Sequence, residues 1–181
     1  VSRAVVAPRV LVADPPWQFG DELPGEGRGA AKNYRTMNVW QICAMEIPKM
    51  HRNSYLLLWR VSSMVEEAYQ VVRAWGFEPK SEIVWQKVTK NGKPWFGMGR
   101  TVRASHESCI VATRGTPRPI DRGVRSRFSA KVPVDAEGKY RHSQKPEVFF
   151  DIIERLARGP YTEMFARRQR PGWKCMGDEL P

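Results

Sequence analysis

The stretch LVADPPWQFG, residues 11–20, sets an aspartate at the end of an apolar run and follows it with two prolines and a tryptophan. Val10 to Ala13 is short, apolar and rich in β-branched residues, the pattern of a buried strand. Pro15 and Pro16 fix φ twice and remove two backbone donors. What remains is a cluster of acceptors: the Asp14 carboxylate, and the carbonyls of Asp14 and Pro15, which are expected to be free. Such a cluster suits an amino group, which has two N–H bonds to place. The Trp17 indole is expected to offer a face on which a flat ring carrying that amine can stack. The competing reading is a tight turn after a strand, with Trp17 in the core.

Outward from this turn the chain alternates between two periods. Residues 20–31 carry four glycines and a proline and read as a mobile loop. Residues 39–45 read as a short helix that stops before Pro48. Residues 54–59 read as a second buried strand. In 64–75, Met64, Ala68, Val71, Val72 and Trp75 recur at helical spacing, with Ser62 and Ser63 as candidate caps and Gly76 as the stop. Residues 82–88 and 108–115 read as strands, separated by a turn at KNGK, 90–93. A surface stretch rich in Pro, Arg and Gly fills 115–142. PEVFFDIIERLA, 146–157, begins on a proline and has an apolar face. YTEMFARR, from Tyr161, reads as a final strand. Strands and helices in this order predict one α/β domain over 1–181, built on a mostly parallel sheet with its site at the strands' carboxyl ends. Asp14, Trp59–Arg60 and Arg167 all fall at such ends.

The 181 residues hold 30 Lys and Arg against 19 Asp and Glu, a formal charge of +11. That balance points to a polyanionic partner, most simply nucleic acid. Three cysteines, Cys43, Cys109 and Cys175, are widely spaced and include no CxxC pair, which indicates neither a zinc knuckle nor a disulfide framework. The longest apolar run, YLLLW at 55–59, is far too short to span a bilayer. A cytoplasmic protein is expected, with no metal. Lys87, Lys90 and Lys93 flank a turn with Trp95 and Phe96. Arg114, Arg118, Arg122, Arg125, Arg127 and Lys131 form one cationic series, and Arg167, Arg168 and Arg170 another. Cations interleaved with aromatics suit a phosphate track with base stacking, although each cluster also reads as a solvated loop.

DPPW (14–17), NYRTM (33–37), LLLWRVSSM (56–64), AWGFEP (74–79), SHESCIVATRG (105–115), HSQKPEVFFDIIERL (142–156) and EMFARRQRPGWKCMGDEL (163–180) together resemble one family. It is the family of the catalytic, seventy-kilodalton subunit of the eukaryotic messenger-RNA N6-adenosine methyltransferase. The chain looks closest to that family's short bacterial and phage members. DPPW and HSQKP are the specific motifs. The resemblance implies a Rossmann-like fold dependent on S-adenosylmethionine, with circularly permuted motifs: the amine clamp comes first and the cofactor segment last.

By the same resemblance Asp14, Pro15, Pro16 and Trp17 match the catalytic tetrad. Tyr34, Lys145 and His106 fall at substrate positions, with Glu107 beside His106 in a second active-site loop. His142, Ser143, Arg167, Asp178 and Glu179 fall at cofactor positions, Arg167 at the ribose hydroxyls and the two acids at the adenine. EMFARR replaces the glycine-rich loop common in other methyltransferases. The activity implied is methyl transfer to the N6 amine of adenine in nucleic acid, DNA rather than RNA. The alternative is a catalytically silent subunit that binds nucleic acid or a partner. Longer relatives work as heterodimers, which leaves a homo- or heterodimer open. Residues 90–104 suit such a contact or a substrate loop equally.

Overall fold

The computed structural model describes residues 6–18, 36–99, 101–135, 137–141, 144–178 and 180. The glycine-rich stretch 20–31, Tyr34, His142, Ser143 and Glu179 lie outside the described residues.

The opening apolar run is strand β1, Val10–Ala13, and all four residues are buried. Strands alternate their side chains between faces, so a strand buried throughout needs a layer on each side. Val10 and Val12 pack with Leu57, Trp59 and Phe149 on one face, and Leu11 and Ala13 with Leu56, Leu58 and Val71 on the other. Further elements follow in the order α1 (Val39–Cys43), β2 (Ser54–Arg60), α2 (Val65–Ala74), β3 (Glu78–Val88), β4 (His106–Arg114), β5 (Arg127–Lys131), α3 (Glu147–Leu156), β6 (Tyr161–Met164) and β7 (Trp173–Met176). Ile42 of α1 and Ala68, Val71 and Val72 of α2 cover one face, and Phe149, Phe150 and Ile153 of α3 cover the other. The architecture is three-layered, helix, sheet, helix.

The sheet order is β5-β3-β4-β2-β1-β6-β7. β1 lies parallel to β2 and to β6, β6 to β7, and β3 to β5; β4 runs antiparallel to both β2 and β3. The fold is therefore the expected α/β, Rossmann-like one with a mostly parallel sheet. The reversal at β4 has a local cause: no helix intervenes between β3 and β4, and only a crossover can return a strand parallel. It has a consequence for the site as well. Because β4 is reversed, its first residues stand where β2 ends, Ser108 opposite Arg60.

Several sequence expectations need correction. β5 lies inside the stretch read as surface, and β7 follows the strand read as the last. Both are short edge strands with one neighbour each, and β5 alternates exposed Arg127, Ser129 and Lys131 with half-buried Phe128 and Ala130. Charged edge positions of this kind protect a sheet from further pairing and erase the apolar signal. The serine caps are not used: Met64 is the N-cap of α2 and makes no side-chain cap bond. The capping box of α1 went unread, although Asn38 Oδ1 accepts from Gln41 N and Gln41 Oε1 from Asn38 N, both at 2.9 Å.

Candidate active site

Asp14 follows the last residue of β1 at the centre of the sheet, so its carboxylate sits at the carboxyl end of a buried strand. The turn after it is tight. Trp17 N donates to Pro15 O at 2.8 Å, and Met37 N donates to Pro16 O at 2.8 Å. The Pro15 carbonyl is therefore not free as expected. It retains one lone pair, because a carbonyl oxygen accepts twice. Trp17 is corrected more strongly. Its ring is 4% exposed and packs among Leu11, Leu58 and Met164, and its Nε1 donates to Trp59 O at 3.0 Å. In place of an open stacking face, it is a strut that ties the turn to the end of β2.

Lys145 closes over the carboxylate. Its Nζ lies 2.6 Å from Asp14 Oδ2 and 3.2 Å from Glu107 Oε2, and 5.1 Å from the centre of the Trp59 ring. Glu107 Oε1 in turn meets Lys87 Nζ at 2.5 Å. Four alternating charges thus run from the end of β1 across the start of β4 to β3. Their side chains are between 10% and 28% exposed, so water screens them poorly. Burial works against three of these charges. It raises the Asp14 carboxyl, with Lys145 pulling in the other direction. It opposes the Glu107 carboxylate too, but Lys145 and Lys87 outweigh it and hold Glu107 at about 2. It opposes the Lys145 ammonium, which Asp14 and Glu107 nevertheless keep well above its ordinary value. The result is an Asp14 carboxyl with one oxygen taken by Lys145 and Oδ1 unbonded among the described residues. The Trp59 indole N–H, fully buried beneath, likewise has no partner among them.

On the far side of the turn lies a cavity of about 490 Å³, lined by Pro16, Met37, Met45, Met164, Phe165 and Asp178 among others. Two strand ends form it. Phe165, just after β6, has φ +61°, a left-handed conformation that a bulky residue adopts only under constraint. Ala166 N donates to Met176 O at 2.9 Å and joins the turns after β6 and β7. That approach requires Gly177, since a Cβ there would lie 2.3 Å from Ala166 O. Asp178 follows at the cavity wall.

The sequence-selected residues divide accordingly. Asp14, Pro15, Pro16, Lys145 and Asp178 gather at one pole of the sheet, and Arg167 is close enough that its charge lowers the Asp14 carboxyl. His106 is exposed at the start of β4, on the opposite strand face from Glu107, and it is Glu107 that meets Lys145. Glu163 in β6 was not singled out by sequence, and burial lifts its carboxyl to about 7. Its signal was an acid inside a short strand, between buried Thr162 and Met164.

The cationic series also separate. Arg114 donates from Nε to Gly76 O at 3.1 Å and from Nη2 to Trp75 O at 2.5 Å, with its guanidinium 4.6 Å from the Phe77 ring. It caps the carboxyl end of α2. Arg168 and Arg170 both pair with Glu147 at the start of α3. These three arginines are struts.

The geometry has counterparts. The MT-A70 family model matches residues 8–179. The chain is 28% identical to the Drosophila melanogaster N(6)-adenosine-methyltransferase MT-A70-like protein over 94% of its own length and 26% of that protein. It is also 28% identical to the human N(6)-adenosine-methyltransferase catalytic subunit METTL3, over 94% of the chain and 28% of METTL3. To the type II methyltransferase M.MunI of Mycoplasma sp. it is 26% identical, over 96% of the chain and 78% of that protein. The chain spans about a quarter of the length of these animal relatives. A match over residues 8–179 takes in the proline turn, the lysine that covers it and both strand ends of the cavity: the chain belongs to the MT-A70 family.

Proposed function

We propose that the chain transfers a methyl group from S-adenosylmethionine to the N6 amine of adenine in nucleic acid, DNA in preference to RNA. One observation carries the reading. A carboxyl with one oxygen held by a lysine and the other unbonded among the described residues begins a turn stripped of two donors, and Pro16 of that turn lines a cavity of cofactor size. The preference for DNA rests on likeness to the short bacterial members of the family.

The cavity fits the cofactor by its chemistry. Met37, Met45, Met164 and Phe165 supply apolar, polarisable walls for a flat base, and Asp178 supplies an acceptor for the adenine amine. Arg167, three residues beyond β6, is suited to the ribose hydroxyls. Tyr34, His142, Ser143 and Glu179 belong to the same reading by resemblance. When bound, S-adenosylmethionine supplies an electrophilic methyl group.

The protein's part is positioning and charge. The target base is flipped out of its strand, or taken from a single strand, into the site. Its N6 amine donates to Asp14 Oδ1 and to the remaining lone pair of Pro15 O. These two bonds draw the nitrogen lone pair out of conjugation with the ring and aim it toward the cofactor side. Lys145 fixes the carboxylate's orientation and favours its charged form against the pull of burial. Asp14 need not be a strong base, because the amine becomes acidic once methylated.

The test uses labelled S-adenosylmethionine with duplex DNA, single-stranded DNA and RNA in turn, and reads the digested nucleosides by mass spectrometry. N6-methyladenine is expected from the wild type and is expected to vanish in Asp14→Ala. Full activity in that variant would sink the mechanism. A wild type silent on every polymer would favour the binding subunit.

A further inference from the structure

We infer that the opposite pole of the sheet carries a second binding site, for phosphoryl groups. A cavity of about 490 Å³ opens at the amino ends of β1 and β2, lined by Arg9, Asn53, Tyr55, Thr116, Arg118 and Arg158 among others. β2 separates it from the catalytic pole. Six residue steps at ~3.3 Å put the two sites about 20 Å apart.

The composition of the wall is the first argument. Three of the nine residues that line it are arginines, and none of the nine is an acid. Among the described residues, Arg9, Arg118 and Arg158 have no side-chain hydrogen bond or ion pair. Arg114, Arg168 and Arg170, by contrast, each have an internal partner. Asp121, the acid of the neighbouring loop, is paired with Arg155. Three guanidinium groups around one cavity repel each other, and an anion relieves that repulsion. Forked donors of this kind match phosphate oxygens.

The second argument is that the cavity is built rather than a gap between solvated loops. The segment that walls it is fixed at both ends. Gly115 turns with φ +64° so close to the preceding loop that a Cβ would lie 2.4 Å from both Arg52 O and Asn53 Oδ1. Thr116 N donates to Asn53 Oδ1 at 3.1 Å, and Ile120 N to Leu156 O at 2.8 Å. The third argument is Tyr55. Only 7% of the residue is exposed, it lines the cavity, and its hydroxyl has no hydrogen-bond partner among the described residues. A phenol hydroxyl on the cavity wall can donate to a phosphate oxygen.

The ligand class is a phosphate-bearing one, either a free di- or triphosphate or the backbone of a polynucleotide, and two probes separate these sources. The first is inorganic pyrophosphate without magnesium, followed by calorimetry. The second is a fluorescent oligothymidylate, followed by anisotropy at low and moderate salt. Each is titrated into the wild type, Arg118→Ala/Arg158→Ala and Tyr55→Phe. Both arginines are exposed and outside the elements, so the double variant keeps the fold. Pyrophosphate binding that weakens at least about tenfold in the double variant, and less in Tyr55→Phe, identifies a site for small phosphates. Oligothymidylate binding that weakens by that factor and loses salt dependence, with no pyrophosphate binding, identifies a backbone site. Unchanged binding of both probes in both variants overturns the proposal. No arm reads methyl transfer, so the result is independent of the catalytic reading.

Discussion

Glu163 is the residue whose removal should make the protein more stable, and by an amount that depends on pH. It is the third residue of β6, opposite Val12 on β1 and Cys175 on β7, on the face covered by α3. Burial lifts its carboxyl from an ordinary 4.5 to about 7; Arg170 offsets part of that lift and Asp14 adds to it. Between those two values the folded chain holds a proton that the unfolded chain has released. Stability therefore falls as pH rises from about 4.5 to about 7 and stays low above it. Each tenfold in proton affinity is worth about 1.4 kcal/mol, so the full cost is at most about 3.5 kcal/mol. Glu163→Gln keeps the shape and removes the titration. Urea unfolding of both proteins, followed by fluorescence of the seven tryptophans, should give equal stabilities near pH 4. By pH 8 the variant should lead by about 2 to 3 kcal/mol. Subtracting one curve from the other cancels every group the two proteins share. A gap that stays flat from pH 4 to pH 8 would refute the burial argument, whatever its size.

Three further outcomes follow from the geometry. Lys145→Met strands the Asp14 and Glu107 carboxylates and should cost about 3 to 5 kcal/mol, of which Asp14→Asn in the same chain restores a large part; additivity of the two in a double-mutant cycle would deny the coupling. Trp17→Ala should cost about 3 to 5 kcal/mol in chemical unfolding, as a core tryptophan does, whereas a loss below about 1 kcal/mol would return the ring to the role of an open face. Gly177→Val should force the turns after β6 and β7 apart and weaken S-adenosylhomocysteine binding at least about tenfold by calorimetry; unchanged affinity would place the cofactor elsewhere.

How far the sequence could be read depended on what kind of interaction fixed each residue. β1, β2 and the two longer helices were legible because burial on a face leaves a period in the apolar residues, and that period is local. β5 and β7 were not, since an edge strand of four or five residues is held by a neighbour's backbone and not by its own side chains. The turn at Asp14 was legible as chemistry, because two prolines dictate φ and donor count wherever they occur. Trp17 was misread for the complementary reason: whether an indole faces solvent or the core depends on β2, 42 residues away, whose Trp59 carbonyl receives its N–H. Lys145 lies between these cases. Its motif marked it, but its partner stands 131 residues earlier. The pair forms only because the sheet order sets β1 beside β6 and α3 against their shared face. The same dependence on topology divided the arginines. Arg114 and Arg118 look alike in sequence, four residues apart. One caps a helix with its charge spent, and the other borders a cavity with its charge unspent. That difference, invisible in the sequence, is what separates a structural cation from one available to a ligand.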